Sequence, residues 1–372
     1  MRKSLFLFIF FLLSYPSFSQ HTRWMDKRKQ IIRNDTAFYF FKAHRYGAQD
    51  LYNPLYVVVN GGFDVWQLHG IDRNPFEYNW KLNVKNFGKN IIHPAKAIDA
   101  TGAKKFFTQE IFPLNWTPEG AQWVPNYFLH LVGSGMEYRM LTEYYRYHKV
   151  PAPKVFSAFT VFTMHFVNEV MENDGKVGWN TDPVADWYFF DIAGIFLFNS
   201  IPVSRFFSEK MHMADWSLMP TVSFRDFTLQ NAGQYFIYKW EFTREKNWAV
   251  FNRWGMGTQF GITRKFKNEN ALTAAGGVRS YELELVDTDG FILTTTLTWA
   301  AFFAWDKNST PLATLEVNGS DDYTALLNVY PGVIKIKKFS PGVWGVAGKD
   351  GTGAFGICAR YSLGIGVGYG WK

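Results

Sequence analysis

Residues 355–371 read FGICARYSLGIGVGYGW, and they alternate between two kinds of position. Every odd position from Phe355 to Trp371 is apolar, and most even positions are glycine. A period of two places alternate side chains on opposite faces of a strand. Seventeen residues exceed most strands of soluble proteins, whereas a membrane-crossing strand takes about ten residues plus extensions. The segment therefore predicts one long strand of an outer-membrane protein.

Alternating segments continue upstream and cover roughly residues 221–372. Short turns rich in Asp, Asn and Gly separate them. An antiparallel meander with an apolar outer face must close, because an open edge leaves unpaired backbone groups in lipid. We therefore expect residues 216–372 to form an antiparallel outer-membrane β-barrel of about 8–12 strands. The predicted strands lie near residues 236–242, 248–262, 271–286, 293–305, 312–317, 323–337, 343–347 and 355–371.

The amino terminus has the order of a secretory presequence. Arg2 and Lys3 precede an apolar run over residues 5–13, and Ser17 and Ser19 occupy the positions that a signal peptidase reads. We expect residues 1–19 to be a cleaved signal peptide and the protein to be exported to the outer membrane of a Gram-negative bacterium.

The composition fits a membrane protein built from strands. Aromatic residues make up 19% of the chain, yet the mean hydropathy is only −0.16. Apolar transmembrane helices would raise that mean. The net charge of +7 comes from scattered Lys and Arg, so we expect no nucleic-acid partner. Cys358 is the only cysteine, which excludes an intrachain disulfide and a cysteine-rich metal site.

Residues 20–215 are predicted to form a helical and irregular region, with one possible strand near 55–68. Helical patterns cover residues 123–148, 153–173 and 184–200, but their apolar runs fall short of a membrane span. We expect this region to plug the barrel or to sit at its periplasmic rim, because a glycine row on a strand marks close backbone approach. The alternative is that glycine permits strong coiling of a small barrel. The predicted fold is thus an α+β membrane protein, with an irregular helical half before the barrel.

The polar residues of the helical region are the candidate site, and two chemical roles follow from them. In one, His165, Glu169, Asp182 and Asp186 bind a divalent metal on two helices. In the other, these residues are catalytic: His165 or His130 is the general base of an acyl-transfer site, oriented by a carboxylate. Such a site needs a nearby serine, and Gly133-Ser134-Gly135 is too short a motif to identify one.

A structural role is the third hypothesis and the favoured one, with no metal or cofactor expected. Asp191 and Glu169 lie within apolar helices, and a buried carboxylate must be paired or protonated. Arg139 and Arg146 on the preceding helix are the expected partners, while Glu143 takes one of them by its i,i+4 spacing. The pattern predicts a buried ionic cluster that fixes how three helices pack.

The chain resembles Gram-negative outer-membrane β-barrel proteins in its presequence, its meander and its Tyr369-x-Trp371 ending. Such barrels finish on alternating apolar residues with a terminal aromatic that the assembly machinery reads, although Lys372 follows Trp371 here. The presequence that leaves Gln20 looks like those of the Bacteroidota. The run over residues 168–194 is similar to uncharacterised envelope families that combine a short helical segment with a barrel, which assigns no activity.

These patterns favour a non-enzymatic function as an outer-membrane structural or assembly-associated protein, or as a subunit of an envelope complex. The alternative is a lipid- or lipopolysaccharide-modifying enzyme with its His/carboxylate site in the helical region. A porin or small-solute channel ranks third, because about eight strands leave no wide lumen. The expected partners are outer-membrane lipid, lipopolysaccharide and other envelope proteins.

Overall fold

The computed structural model describes residues 38–69, 74–113, 124–172, 178–287 and 292–371. Apart from two short 3₁₀ turns, its helices lie between Ala48 and Lys210, and its strands lie between Ala214 and Trp371. The protein is therefore of the α+β class, with the helices before the strands. The predicted signal peptide, residues 1–19, lies outside the described residues.

The helical part consists of α-helices joined by π-helical and 3₁₀ turns. The π-helical turns are Phe106–Ile111, Val124–Gly133, Asp186–Asp191 and Phe206–Lys210, and a 3₁₀ turn covers Asp64–His69. The α-helices are α1 (Ala48–Leu51), α2 (Pro54–Gly62), α3 (Trp80–Ile92), α4 (Pro94–Thr101), α5 (Ala103–Lys105), α6 (Ser134–Tyr147), α7 (Pro153–Glu172), α8 (Asp182–Ala185), α9 (Ile192–Asn199) and α10 (Ile201–Arg205).

The predicted strand over residues 55–68 was wrong, because this segment forms α2 and the 3₁₀ turn after it. The side chain of Asn53 accepts hydrogen bonds from the backbone N–H groups of Leu55 and Tyr56, and Pro54 occupies the first turn. These are strong helix-start signals. Every residue of α2 is buried, so its continuous apolar run has no polar face to reveal the helical period.

Among the described residues, no single helix has the length and apolar composition needed to cross a membrane. One bent pair, Asp182–Asn199 and Ile201–Lys210 with 85° between its halves, meets those two criteria when both halves are counted together.

The described part of the chain contains thirteen strands. Their bounds are β1 Ala214–Asp215, β2 Thr221–Ser223, β3 Leu229–Gln230, β4 Phe236–Glu241, β5 Trp248–Gly255, β6 Gly257–Lys265, β7 Asn270–Asp287, β8 Ile292–Lys307, β9 Thr310–Asn318, β10 Ala325–Val329, β11 Gly342–Ala347, β12 Gly353–Cys358 and β13 Gly366–Trp371.

These strands form one mostly antiparallel sheet in the order β1-β4-β5-β6-β7-β8-β9-β10-β11-β12-β13-β2-β3. The parallel pair among the described strands is β13 with β2. The number of strands exceeds the predicted 8–12 because short segments such as β1, β2 and β3 are counted separately.

The carboxyl-terminal segment is a hairpin and not one long strand, which corrects the first prediction. β12 ends at Cys358, and a 3₁₀ turn over Arg360–Ser362 reverses the chain. Leu363 and Gly364 complete the reversal at φ values of 58° and 83°, in the left-handed region. β12 and β13 then pair antiparallel.

The reversal preserves the alternation, which explains why the segment looks like a single strand. Ile357 before the turn and Val367 after it are both exposed, whereas Gly356 and Gly368 are both buried. The period of two is therefore right for each strand, although the length is wrong. When odd-numbered residues stay on the exposed face on both sides of a turn, the alternation continues through the turn and the sequence does not reveal it.

The buried glycines of this hairpin face strand residues. A Cβ atom at Gly356 would lie 2.7 Å from Thr221 Cγ2, and one at Gly368 would lie 2.6 Å from Thr221 Oγ1. Gly364 in the turn faces α2 instead, where a Cβ atom would lie 2.7 Å from that of Tyr56. The glycine row therefore accommodates mainly a neighbouring strand, and one helix contacts it at the turn.

One face of the sheet packs against the helices. Tyr56 of α2 and Met164 of α7 belong to the same hydrophobic core as Tyr235, Trp254 and Trp344 of the strand region. The Tyr56 hydroxyl also donates a hydrogen bond to the carbonyl oxygen of Ser217, at 2.8 Å. The helical part therefore covers the buried face of the sheet.

The opposite face of the sheet exposes large apolar side chains on almost every strand from β4 to β13. A water-exposed apolar surface of this extent is unusual for a monomeric soluble protein and marks contact with lipid or with another protein. Its members are Trp240, Val250, Phe260, Ile262, Leu272, Val278, Leu297, Trp299, Phe303, Trp305, Leu315, Leu327, Phe355, Ile357, Val367 and Trp371.

A buried ion cluster joins three strands on the helix-covered face. Glu316 of β9 accepts a hydrogen bond from Arg253 Nη1 at 2.6 Å and one from Arg279 Nη1 at 2.8 Å. All three side chains are almost completely buried. The one carboxylate offsets part of the charge of two guanidinium groups, so its removal leaves still more buried positive charge uncompensated.

We predict that Glu316→Gln lowers the free energy of unfolding by roughly 3–5 kcal/mol. The control is Asp321→Asn, which removes an exposed 2.9 Å contact with Lys349 and should change stability by about 0–1 kcal/mol. Urea unfolding in detergent micelles, followed by tryptophan fluorescence, measures both values. Equal losses for the two variants would contradict the importance assigned to the buried cluster.

Candidate functional site

Ser134 is the first residue of α6 and lies where that helix crosses α9. The next residue, Gly135, is so close to α9 that a Cβ atom there would lie 2.8 Å from the carbonyl oxygen of Gly194. A Cβ atom at Gly194 would likewise meet a backbone oxygen at 2.6 Å. A larger residue at either glycine would separate the helices. The close crossing therefore brings Asp191, which directly precedes α9, next to Ser134.

Ser134, His165 and Asp191 form a continuous chain of hydrogen bonds. The Oγ atom of Ser134 lies 2.7 Å from Nε2 of His165, and Nδ1 of His165 lies 2.5 Å from Oδ2 of Asp191. The three residues are 2%, 4% and 1% exposed. Hydroxyl, imidazole and carboxylate follow one another in the order of a nucleophile, its general base and the group that orients the base.

The protonation states of this chain suit a base-activated serine. Burial, helped by His130, lowers the pKa of His165 although Asp191 opposes that shift, so the ring is neutral at pH 7. Burial acts to raise the pKa of Asp191, but His165 and His130 outweigh it and lower the pKa, so the carboxylate is charged. The Nδ1–H group of His165 then donates to Asp191, which leaves Nε2 to accept the Ser134 proton.

His130 holds the other oxygen of Asp191. Its Nδ1 atom lies 3.2 Å from Oδ1 of Asp191, and its Nε2 atom lies 3.4 Å from Oδ2 of Asp186. Burial favours the neutral ring, but Asp186 and Asp191 outweigh it and raise the pKa of His130 to about 10. A cationic His130 therefore compensates the charged Asp191 carboxylate and fixes its position, whereas burial raises the pKa of Asp186 to about 8.

The predicted metal or catalytic candidates are divided between two neighbouring groups. Within each group the potential ligand atoms all lie within 4.8 Å of one another. Asp186 lies between the groups, because it contacts His130 at 3.4 Å and reaches the Glu169 carboxyl within hydrogen-bonding range. Two imidazoles with a carboxylate suit a transition metal, whereas carboxylates alone suit a harder cation. The groups are His130, His165 and Asp191, and Glu169, Glu172 and Asp182.

The arginines do not provide the partners expected for Asp191. Arg139 pairs with Glu143 at 2.8 Å, as the i,i+4 spacing predicts, and Glu143 also accepts the backbone N–H groups of residues 39–41. Asp191 is held by two histidines instead of by Arg139 or Arg146, so the predicted partner was wrong. The reason is tertiary: the close crossing of α6 and α9 brings Asp191 to the His130 side of the helix.

His130 and Glu172 belong to these groups and Ser134 contacts His165, although the four leading sequence candidates did not include these three residues. One local signal was present, since His130 and Ser134 are four residues apart and share a helix face. The decisive proximity is long-range, because Ser134 and His165 are 31 residues apart and His165 and Asp191 are 26 apart. A single sequence offers no measure of that convergence.

We found no match to this chain among protein families, curated proteins or solved structures. The functional argument therefore depends on the geometry and chemistry of the side chains.

We predict that His130→Gln lowers the melting temperature more at pH 6 than at pH 10. The pKa of His130 is raised to about 10, so its stabilising charge is fully present below its ordinary pKa of 6.5 and is lost as the pH rises through about 10. Thermal melts of variant and wild type at both pH values, with EDTA present, measure the difference.

His148→Gln is the matched control, because burial lowers the pKa of His148 to about 4 and leaves that ring neutral at both pH values. Its unfolded-state pKa of about 6.5 lies above its folded-state pKa, so the unfolded chain takes up the proton first at pH 6, and the loss of stability should be no larger at pH 6 than at pH 10. A loss for His130→Gln that is likewise no larger at pH 6 would show that the His130 charge does not stabilise the fold.

Proposed function

We propose that this protein is an outer-membrane barrel that carries a serine-dependent acyl-transfer site in its helical part. The proposed substrate class is the ester-linked acyl group of membrane lipid or lipopolysaccharide. The observation that carries the activity is the Ser134–His165–Asp191 chain of hydrogen bonds. The membrane location is supported separately, by the exposed apolar face of the strands.

Closure of the barrel is supported by the register of the short strands. β1 pairs with β4 and β2 pairs with β3 in one common register, since Ala214 opposes Ile237 and Thr221 opposes Gln230. Between them, the Trp216 N–H donates to the Tyr235 carbonyl in the same register. Residues 214–223 thus act as one strand that pairs with residues 228–237, and β2, at the carboxyl end of this strand, also pairs with β13. The strand would therefore join the last strand of the sheet to the first, and a sheet in lipid needs such closure because it cannot leave an unpaired edge.

The catalytic step assigned to the site is attack by Ser134 on an ester carbonyl. The Oγ atom of Ser134 forms the new bond to the acyl carbon while its proton moves to Nε2 of His165, and charged Asp191 stabilises the resulting imidazolium. The ester bond then breaks, and His165 returns the proton to the departing alcohol oxygen. Water or an acceptor hydroxyl, activated by the same histidine, releases the acyl group from Ser134.

A lipid substrate is favoured by the surface next to the site. Asp191 is followed directly by Ile192, and the same stretch exposes Phe189 and Phe196. Exposed apolar side chains of this kind can contact acyl chains, which a water-soluble ester would not require. In the proposed outer-membrane location, membrane lipid would be available at this surface.

A structural or assembly-associated function remains the second candidate, supported by the near-complete burial of Ser134 and His165. The Ser134 hydroxyl also lies 3.2 Å from the carbonyl oxygen of Leu129, which gives it a purely structural acceptor. In this case Asp191 and its histidines only hold α6, α7 and α9 together. A wide porin is disfavoured, because helix side chains share the core with the strands.

We predict that a lipophilic fluorophosphonate labels the wild-type protein in detergent–lipid micelles and that Ser134→Ala abolishes labelling. Labelling should also fall as the pH drops below the pKa of His165, which lies below 6.5, because a protonated ring cannot accept the Ser134 proton. Mass spectrometry of the labelled peptide identifies the serine that reacts, and lipid profiling of cells measures the proposed acyl transfer.

The control is Ser204→Ala, which removes another buried serine hydroxyl, one that donates to the Phe198 carbonyl at 2.8 Å. It should retain full labelling. If wild type is unlabelled and lipid profiles are the same for wild type and Ser134→Ala, the enzymatic proposal fails and the structural one becomes the better explanation.

We predict separately that Val367→Arg prevents stable insertion into membranes. Val367 is 59% exposed on β13, and an arginine on a lipid-facing strand costs about 2–4 kcal/mol at mid-bilayer. Glu245→Arg in the exposed turn after β4 is the control and should insert normally. Heat-modifiable migration on gels measures both, and normal insertion of Val367→Arg would reject the lipid-facing assignment.

A further inference from the structure

A second group of acids lies beside the Ser134 chain without a part in the proposed reaction. Glu169 and Glu172 come from the last turns of α7, and Asp182 is the first residue of α8. Their carboxylate oxygens lie within 4.8 Å of one another. Like charges at this separation repel strongly where water is partly excluded. The arrangement therefore calls for a compensating positive charge.

Two further carboxyl groups next to this group have a buried oxygen without a hydrogen-bond partner among the described residues. These atoms are Oδ1 of Asp186 and Oε2 of Glu110. Asp186 is only 3% exposed and its carboxyl reaches that of Glu169, while Glu110 interacts electrostatically with Asp182. A buried acceptor without a donor is costly. The unpartnered oxygens are a second observation, beside the clustered acids, that indicates a cation-binding site.

Within the part of the chain that the structure describes, the positive charge that acts on Glu172 and Asp182 is that of His130. The His130 ring contacts Asp186 at 3.4 Å, but it also holds Asp191. A divalent cation between the carboxylates would replace this repulsion with attraction and would tie the end of α7 to the start of α8.

We propose that Glu169, Glu172, Asp182 and Asp186 bind a divalent cation, and that the cation is Ca²⁺. The donors are all carboxylate oxygens, which hard cations prefer. Mg²⁺ usually takes one or two carboxylates and keeps its waters, whereas Ca²⁺ accepts several carboxylates in flexible geometry. The imidazoles that a softer metal would select are already engaged by Asp191. This site is separate from Ser134, so it does not depend on the acyl-transfer proposal.

Isothermal titration calorimetry tests the site with full-length protein that is refolded in detergent, free of lipopolysaccharide and stripped with EDTA. Ca²⁺ should bind more tightly than Mg²⁺. Glu172→Gln and Asp182→Asn should each weaken Ca²⁺ binding by about tenfold or more, because affinity follows the number of charged ligands. Asp321→Asn removes an exposed carboxylate that pairs with Lys349, and it should bind Ca²⁺ like wild type.

Thermal melts of the same proteins distinguish a cation site from a structural cluster. Ca²⁺ should raise the melting temperature of wild type and Asp321→Asn, but not that of Glu172→Gln or Asp182→Asn. Without metal, those two variants should melt no lower than wild type, because each replaces one carboxyl group of the crowded acidic group with a neutral amide of similar size. If one of them fails to fold, the other still tests the site from a different helix.

Three results would overturn the proposal. The first is the absence of Ca²⁺ binding by folded wild type, and the second is equal Ca²⁺ binding by wild type and both variants. The third is tight Zn²⁺ binding that outcompetes Ca²⁺ and survives both substitutions, because it would place the metal at His130 and His165.

Discussion

Burial of the Asp191 carboxylate between two imidazoles is the constraint on which the helical part depends. The charge is nearly fully buried, and it is stable there because His165 holds one oxygen and His130 the other. Those histidines come from α7 and from the turn before α6, so a single carboxylate joins three segments that are distant in sequence. The glycine contact between α6 and α9 allows this approach, because any side chain at Gly194 would meet backbone.

The same carboxylate makes the two histidines chemically different. His165 is neutral with a free Nε2 directed at Ser134, whereas His130 is cationic and lies between two acids. A neutral base and a fixed positive charge within one buried network are conditions under which a serine can be activated. The acids beyond Asp186 extend the network as a group of carboxyl groups instead of a carboxylate between imidazoles. This difference in donor chemistry is the basis for proposing an acyl-transfer chain and a separate cation site within one cluster.

The two faces of the sheet relate this cluster to its proposed surroundings. The helix-covered face carries a shared hydrophobic core and the ion cluster of Glu316, so it is filled by the protein itself. The opposite face is apolar and has no protein partner among the described residues. A soluble β-sandwich also packs one face of each sheet, but its other face is polar, so the exposed apolar face is the feature that supports the proposed contact with lipid. In such a protein the helices supply the chemistry and the strands supply the location.

Local sequence patterns were enough to predict which residues alternate along a strand and which helix faces carry acids. Ile357 and Val367 were placed on the apolar face from their parity alone, because the period of two is a local property of the strand backbone. The Arg139–Glu143 pair was likewise visible, since a helix turn fixes its spacing. The helix α2 was mistaken for a strand because all its residues are buried, so no polar face shows the helical period. The hairpin of β12 and β13 was mistaken for one strand because the turn leaves odd-numbered residues on the same face.

The pairing of particular acids with particular histidines depends on long-range packing. His165 and Glu169 share a helix face, yet His165 joins Ser134 and Asp191 while Glu169 joins Glu172 and Asp182. That division depends on where α6, α8 and α9 cross α7, and the crossings depend on contacts such as Gly135 against Gly194. Such contacts join residues that are far apart in the chain. Hydrophobic periodicity predicts which face of a helix is buried, but it does not predict which helix packs against that face.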